Sequence, residues 1–238
     1  MSIIFDEREY ARTIIKKGIQ SSGSKGRGLQ LVANYLREQG YEDKQIENEL
    51  HRISKKSFSD YNKVMMYDYI DKRVKRSKKG KLKTNSPVNI TEAEINTILS
   101  EENEKYQKLM FVYLVLAKFY MENSNSEKYY VGCSDTDIFK LCDMYVKRQE
   151  KREMMHYLTK KGYIEPTTKM SSIVNYVNEN SEVVMKVVPD ETMIYSFEQK
   201  YLGGIFINCE VCGKLVKKTN NRIKYCKECA REIHNSTT

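Results

Sequence analysis

Four cysteines in the last part of this sequence have the spacing of a metal site. Cys209 and Cys212 form one Cys-x-x-Cys pair, thirteen residues follow, and Cys226 and Cys229 form a second pair. Each pair makes a tight turn, and two such turns supply the four thiolates that one Zn²⁺ ion binds as a tetrahedron. Because four protein sulfurs leave no position for a water molecule, we predict a structural zinc ion and no catalytic one.

Other roles for these cysteines fit the sequence less well. The first residues contain no apolar stretch long enough for a signal peptide, so we expect the reduced thiols of a cytoplasmic protein. A thioredoxin-like pair needs a βαβ context, which is absent here. A treble-clef nuclease would have histidines beside the cysteines, but the sequence has only three histidines: His51, His156 and His234.

Basic residues are the second group that can do chemistry, through binding of phosphate. The formal net charge is +9 at pH 7, and the pI is about 9.0. A filled zinc site would change this charge to +7, since four thiolates bring −4 and the metal brings +2. Such a charge is typical of proteins with polyanionic partners. The alternative is the compositional bias of an AT-rich genome, which would enrich lysine whatever the function.

The positive charge is concentrated in three segments, at residues 72–83, 147–152 and 214–227. One charged segment alone is as often a solvated surface as a binding site. Three segments in separate modules favour nucleic acid. We therefore predict nucleic-acid contacts in the first two, at Lys72, Arg73, Lys75 and Arg76 and at Lys147, Arg148, Lys151 and Arg152.

The residues around the cysteines predict a small finger. Residues 214–216 and 222–225 have the pattern of a short hairpin, and residues 230–234 can begin a helix. Gly213 supplies the backbone freedom that the first turn needs. The segment resembles a zinc ribbon or treble-clef finger. Two adjacent glycines at 203–204 predict a mobile link before it.

The middle of the chain predicts three helices. Residues 104–121 are apolar on all sides, which is typical of a central buried helix. Ser134 and Asp137 form a variant capping box that begins a short helix over residues 135–144. A third helix is predicted over residues 147–161, ending at a glycine.

Two β-rich runs follow, at residues 172–177 and 182–188, and we predict that they form a hairpin around residues 178–181. Three helices followed by a hairpin resemble a winged helix-turn-helix domain. That resemblance implies that the helix over residues 147–161 is a recognition helix in the major groove. The acidic turn at residues 178–181 would be the wing tip, where it would repel phosphate.

Four residues of the recognition helix lie on one face, because the last three follow the first at offsets of four, seven and eleven residues: Lys147, Lys151, Met154 and Leu158. The last two members should be buried in the core. The first two should lie at the rim of the core, with their charged ends reaching solvent. Arg148 and Arg152 lie on the neighbouring face and are the better predicted contacts to DNA.

The N-terminal third is predicted to be helical, over residues 6–17, 29–39 and 43–55. A longer basic helix over residues 57–79 and a linker around Pro87 follow. Part of this region, residues 26–50, resembles the helical module that follows the catalytic domain in some plasmid and phage primases. The domain organisation that we predict is 1–56 helical module, 57–100 basic helix and linker, 101–200 winged helix-turn-helix, and 205–238 four-cysteine finger.

The whole arrangement, mainly α with small β elements, resembles winged-helix and zinc-ribbon proteins of phages and prophages of low-GC Gram-positive bacteria. It implies a zinc-containing protein that binds nucleic acid, with DNA favoured, in transcription or replication control in the host cytoplasm. The alternative is an inhibitor or adaptor that binds a host protein, such as a polymerase or, like an anti-CRISPR protein, a defence effector. No clustered histidines, acids and nucleophile suggest an enzyme, and no stretch approaches the ~20 apolar residues of a membrane span.

Overall fold

The computed structural model describes residues 3–20, 25–124, 126–167 and 171–236. Within these ranges the chain is mainly α-helical and contains three small antiparallel sheets, as the sequence predicts. The chain divides into two compact units, Met1–Thr84 and Asn85–Thr238. Among the described helices, none is long and apolar enough to cross a membrane.

The first unit contains four described helices: α1 (Glu7–Lys17), α2 (Lys25–Glu38), α3 (Asp43–Ser57) and α4 (Lys63–Ser77). Their apolar faces form one core, with members including Ala11, Ile14, Leu29, Val32, Leu36, Ile46, Leu50, Ile53, Ile70 and Val74. Two differences from the sequence prediction concern helix starts. α2 begins at Lys25, four residues before the predicted start at residue 29. The long basic helix begins only after Asn62, whose side chain accepts hydrogen bonds from the N–H groups of Val64 and Met65.

The second unit begins with β1 (Val88–Thr91), α5 (Glu92–Leu99), α6 (Glu104–Glu122), β2 (Tyr130–Val131), α7 (Asp135–Leu141) and α8 (Arg148–Lys160). It continues with β3 (Ile164–Pro166), β4 (Ser172–Val174), β5 (Val183–Val187), α9 (Met193–Tyr201), β6 (Phe206–Asn208), β7 (Leu215–Lys217) and α10 (Lys227–Ser236). The predicted module over residues 57–100 is therefore divided between the two units. Its helix α4 packs on α2 and α3, whereas β1 and α5 pack in the second unit.

α6 is the centre of the second unit. Every side chain over residues 109–120 is buried, which confirms the predicted central helix. The start of α7 is confirmed too, because Ser134 Oγ accepts a hydrogen bond from the N–H of Asp137 at 3.2 Å. α8 ends as predicted at Gly162, whose φ of 77° lies in the left-handed region that favours glycine.

The predicted hairpin between residues 172–177 and 182–188 is wrong. β4 pairs with β2 and β3 in a sheet of order β2-β4-β3, whereas β5 pairs with β1. The three valines of β5 identify a strand but not its partner, and the partner here lies far away in sequence. The acidic residue Glu179 therefore does not lie at the tip of the β3–β4 hairpin.

Candidate metal centre and basic surfaces

The four predicted cysteine ligands come together in space. Their Sγ atoms all lie within 4.8 Å of one another, and Cys212 Sγ lies 3.7 Å from Cys226 Sγ. A metal with sulfur ligands at about 2.3 Å in a tetrahedron has sulfur–sulfur edges of about 3.8 Å. A disulfide needs about 2.0 Å, and all four thiols are free. The cluster can therefore hold a metal ion.

The finger hairpin places this cluster. β6 pairs with β7, and the turn between them contains the first Cys-x-x-Cys pair. The N–H of Cys209 donates to Lys214 O at 2.8 Å, and the N–H of Gly213 donates to Cys209 O at 2.9 Å. Gly213 has a φ of 72°, so the glycine predicted to shape this turn has the required conformation. The second pair lies at the start of α10.

Backbone N–H groups donate hydrogen bonds to the cysteine sulfurs and so favour the thiolate form. The N–H of Cys226 donates to Cys209 Sγ at 3.2 Å, and the N–H of Cys229 donates to Cys226 Sγ at 3.4 Å. Hydrogen bonds from the backbone of Cys212 and Cys226 lower the pKa of Cys209 to about 6. In contrast, the hydrogen bond to Cys226 and burial raise the pKa of Cys229. Cys209 is therefore the first of these two thiols to become a ligand-competent thiolate.

α8 separates its apolar and basic residues on different faces. Met154 and Leu158 are buried, as their spacing in the sequence predicts. Lys147 is exposed, and Lys151 is half-buried. The Nζ atom of Lys151 lies 5.3 Å from the centre of the buried Phe139 ring, so its charge lies over an aromatic face at the edge of the core.

Arg148 and Arg152 are unpaired basic residues in the first two turns of α8. Both side chains are exposed, and within the described ranges neither forms an ion pair or a side-chain hydrogen bond. Glu150, in the same turn, pairs with Lys105 at 2.6 Å and so does not neutralise either arginine. Two guanidinium groups four residues apart are therefore available for a ligand on one face of the helix.

The predicted basic residues of α4 differ in their availability. Lys72 and Arg76 are exposed. Lys75 Nζ pairs with Asp71 at 2.7 Å. Arg73 is half-buried: its guanidinium lies 3.3 Å from the centre of the Tyr69 ring, donates to backbone oxygens, and has a pKa lowered by burial. Arg73 thus serves the fold of the first unit.

Two residues of the second unit had no signal in the sequence. Glu198 on α9 is only 2% exposed, and its carboxylate pairs with Lys108 and Lys217. Tyr145, in the turn before α8, is 85% exposed. A single glutamate and a single tyrosine follow no motif, so only the three-dimensional arrangement reveals them.

Comparisons with protein-family models, curated proteins and solved structures found no match to this chain. The cysteine cluster and the basic residues are the features of this chain that bear on its function.

Proposed function

We propose that this protein binds double-stranded DNA through α8 and holds one structural Zn²⁺ ion on Cys209, Cys212, Cys226 and Cys229. Four clustered thiolates are a soft ligand set that suits zinc, and they leave no open position for a substrate. When bound, the ion would replace a hydrophobic core in the finger and make its fold stable.

The arrangement around α6 supports a winged helix-turn-helix. Helices α6, α7 and α8 are followed by the antiparallel hairpin of β3 and β4, and β2 completes the small sheet. A winged helix-turn-helix has this order, and its third helix enters the major groove with its N-terminal residues nearest the bases. The acidic residues predicted for the wing tip do not lie in the β3–β4 hairpin, so they do not repel phosphate from that hairpin.

The unpaired arginines of α8 are the observation that carries the proposal. Arg148 and Arg152 lie in the first two turns of the helix, exposed and without intramolecular partners within the described ranges. Guanidinium groups bind phosphate and guanine edges in bidentate geometry. The proposal assigns no reaction to the chain. The resemblance of the sequence to phage and prophage proteins suggests that the protein acts in transcription or replication control of a mobile element.

The test measures DNA affinity by fluorescence anisotropy, with a duplex of about 24 base pairs, a little over two helical turns. Replacing both residues, Arg148→Gln with Arg152→Gln, should lower affinity at least tenfold. It should also reduce the slope of log K against log salt by about 1.8 if both contact phosphate, since each phosphate contact contributes about 0.9.

The matched control removes the same charge away from the first turns of α8, with Lys160→Gln in the last turn of that helix and Lys186→Gln on β5, both exposed. These changes should leave the affinity within about twofold of the unmodified protein, because distant surface charges are screened. Equal losses in the two double variants would mean that only net charge matters. No duplex binding at low salt would contradict the proposal.

A protein partner is the second candidate, and α4 provides the observation that favours it. Val64 is 84% exposed, Met65 is 81% exposed and Tyr67 is 55% exposed. Exposed apolar side chains close together on one helix are more typical of a protein contact than of a DNA contact. Capture of a host protein with nuclease present, lost on Val64→Ser with Met65→Ser, would favour the inhibitor or adaptor.

A further inference from the structure

The finger is attached to the rest of the second unit by a buried carboxylate. Lys217, at the end of β7, places its Nζ atom 2.9 Å from Glu198 Oε2 on α9. Glu198 also pairs with Lys108 of α6. The side chain of Glu198 is only 3% exposed, whereas that of Lys217 is 37% exposed, so solvent reaches the pair only from the side of the lysine. One residue of the finger therefore joins a charge network in the core of the second unit.

A ring contact lies beside this ion pair. The rings of Phe206 on β6 and Tyr195 on α9 have their centres 5.2 Å apart, tilted by 36°. Burial, and then the negative charges of Asp143 and Glu198, raise the pKa of Tyr195 to about 12. Both strands of the finger hairpin thus contact α9, one through an ion pair and the other through an aromatic ring.

The same lysine of the finger approaches the turn that leads into α8. Lys217 Nζ lies 3.9 Å from Asp143 Oδ2, and Asp143 belongs to the turn between α7 and α8. The exposed Tyr145 follows two residues later. The base of the finger therefore contacts the turn that leads into α8, at a residue five positions before Arg148.

The link before the finger is hydrogen-bonded as well. The N–H groups of Leu202 and Gly204 both donate to the backbone oxygen of Glu198, at 3.0 and 3.1 Å. The sequence predicts that adjacent glycines let the finger move freely. In the structure the link is held at the residue whose side chain also binds Lys217.

We propose that the finger and the start of α8 form one continuous DNA-binding surface, held together by Glu198, Lys217 and Phe206. On this surface a single duplex contacts Arg148 and Arg152 of α8 together with cations of the finger. This inference rests on the proposed function, because it extends the DNA contact from one helix to a composite surface.

The finger has cations suited to this role. Arg222 and Lys227 are exposed, and within the described ranges neither side chain forms an ion pair or a hydrogen bond. A fixed finger positions them before binding, so the duplex does not have to restrict a mobile domain. A freely linked finger would add only the effective concentration of its tether.

The experiment uses the full chain loaded with zinc and a random-sequence duplex of about 24 base pairs. Three variants break the attachment with different charge changes: Glu198→Gln raises the net charge by one, Lys217→Met lowers it by one, and Phe206→Ala leaves it unchanged. We expect each to weaken binding about threefold to tenfold through lost preorganisation. The slope of log K against log salt should stay unchanged, since no phosphate contact is removed.

Lys200→Met is the matched control for Lys217→Met. Lys200 lies on α9, donates to Val184 O and is outside the attachment, so its replacement should change affinity less than twofold. Tighter binding by Glu198→Gln would show that only net charge matters, and it would overturn the inference. Unchanged binding by Phe206→Ala would overturn it too, and this variant keeps the test valid if Glu198→Gln does not fold.

Arg148→Gln with Arg152→Gln is measured in the same series. Loss of binding in this double variant, with none in the three attachment variants, would leave the proposed function intact and reject the composite surface. Unchanged binding in the double variant would contradict the proposed function, whatever the attachment variants do.

Discussion

At the scale of single residues, the cysteine cluster shows how backbone groups select an ionisation state. The sulfur of Cys209 accepts the N–H of Cys226 at 3.2 Å, and such donors favour thiolate over thiol. The sequence alone predicts this cluster, because two Cys-x-x-Cys pairs at short range are a local signal. It does not predict the role of Glu198, since a buried ion pair between distant residues has no local pattern.

Replacing one cysteine tests the metal at this scale. Purified protein should contain one zinc ion per chain, and Cys209→Ser should release it, because metal binding and folding of the finger are coupled. Amide exchange in β6 and β7 should then become fast while exchange in α6 stays slow. Elemental analysis and hydrogen-exchange mass spectrometry measure both effects.

Cys133→Ser is the control, since Cys133 lies outside the cluster. It should retain the full zinc content. A zinc content near zero in the unmodified protein, or unchanged exchange of β6 and β7 in Cys209→Ser, would contradict the assignment of these cysteines as ligands.

At the scale of elements, the start of α5 is fastened to α6 through a buried ion pair. Glu94 is fully buried and pairs with Lys118 at 2.9 Å. The carboxylate of Glu94 also accepts the N–H of Thr91 at 2.9 Å, which closes the capping box at the start of α5. Lys118 donates to Asn89 O at 2.7 Å. One pair thus holds β1, α5 and α6 together.

Removing one partner of this pair should be strongly destabilising. Lys118→Met leaves the carboxylate of Glu94 buried without its countercharge, which costs about 3–5 kcal/mol. The double variant Lys118→Met with Glu94→Gln should recover part of that loss, because a neutral amide can still accept the N–H of Thr91. Urea unfolding measures the free energy of unfolding of the unmodified protein, of Lys118→Met and of the double variant. A double variant less stable than Lys118→Met alone would contradict this account.

The elements also show which parts of the fold follow from local sequence. α6, α7 and α8 are predicted because helix caps and apolar periodicity involve residues close together in the chain. The pairing of β5 with β1 is not predicted, since Val88 and Val187 are separated by most of the second unit. β3 has only three residues, too few for a period-two pattern to be recognised.

At the scale of the whole molecule, the two units present different surfaces. The second unit contains the cysteine cluster and the unpaired arginines of α8. The first unit presents Val64 and Met65 at the start of α4, and toward the other end of this helix Asp71 partly neutralises the positive charge by pairing with Lys75. DNA binding therefore fits the second unit better, and a protein contact fits the first.

Fragments of the chain test whether the second unit is complete in itself. The division at Asn85 predicts that residues 85–238 fold alone with zinc. A fragment of residues 92–238 lacks β1, so β5 loses its partner strand and Lys118 loses the oxygen of Asn89. We expect cooperative urea unfolding, followed by circular dichroism, for the longer fragment and a broad or absent transition for the shorter one. Equal cooperativity in both would show that β1 is dispensable, whereas an unfolded longer fragment would show that the second unit needs the N-terminal helices.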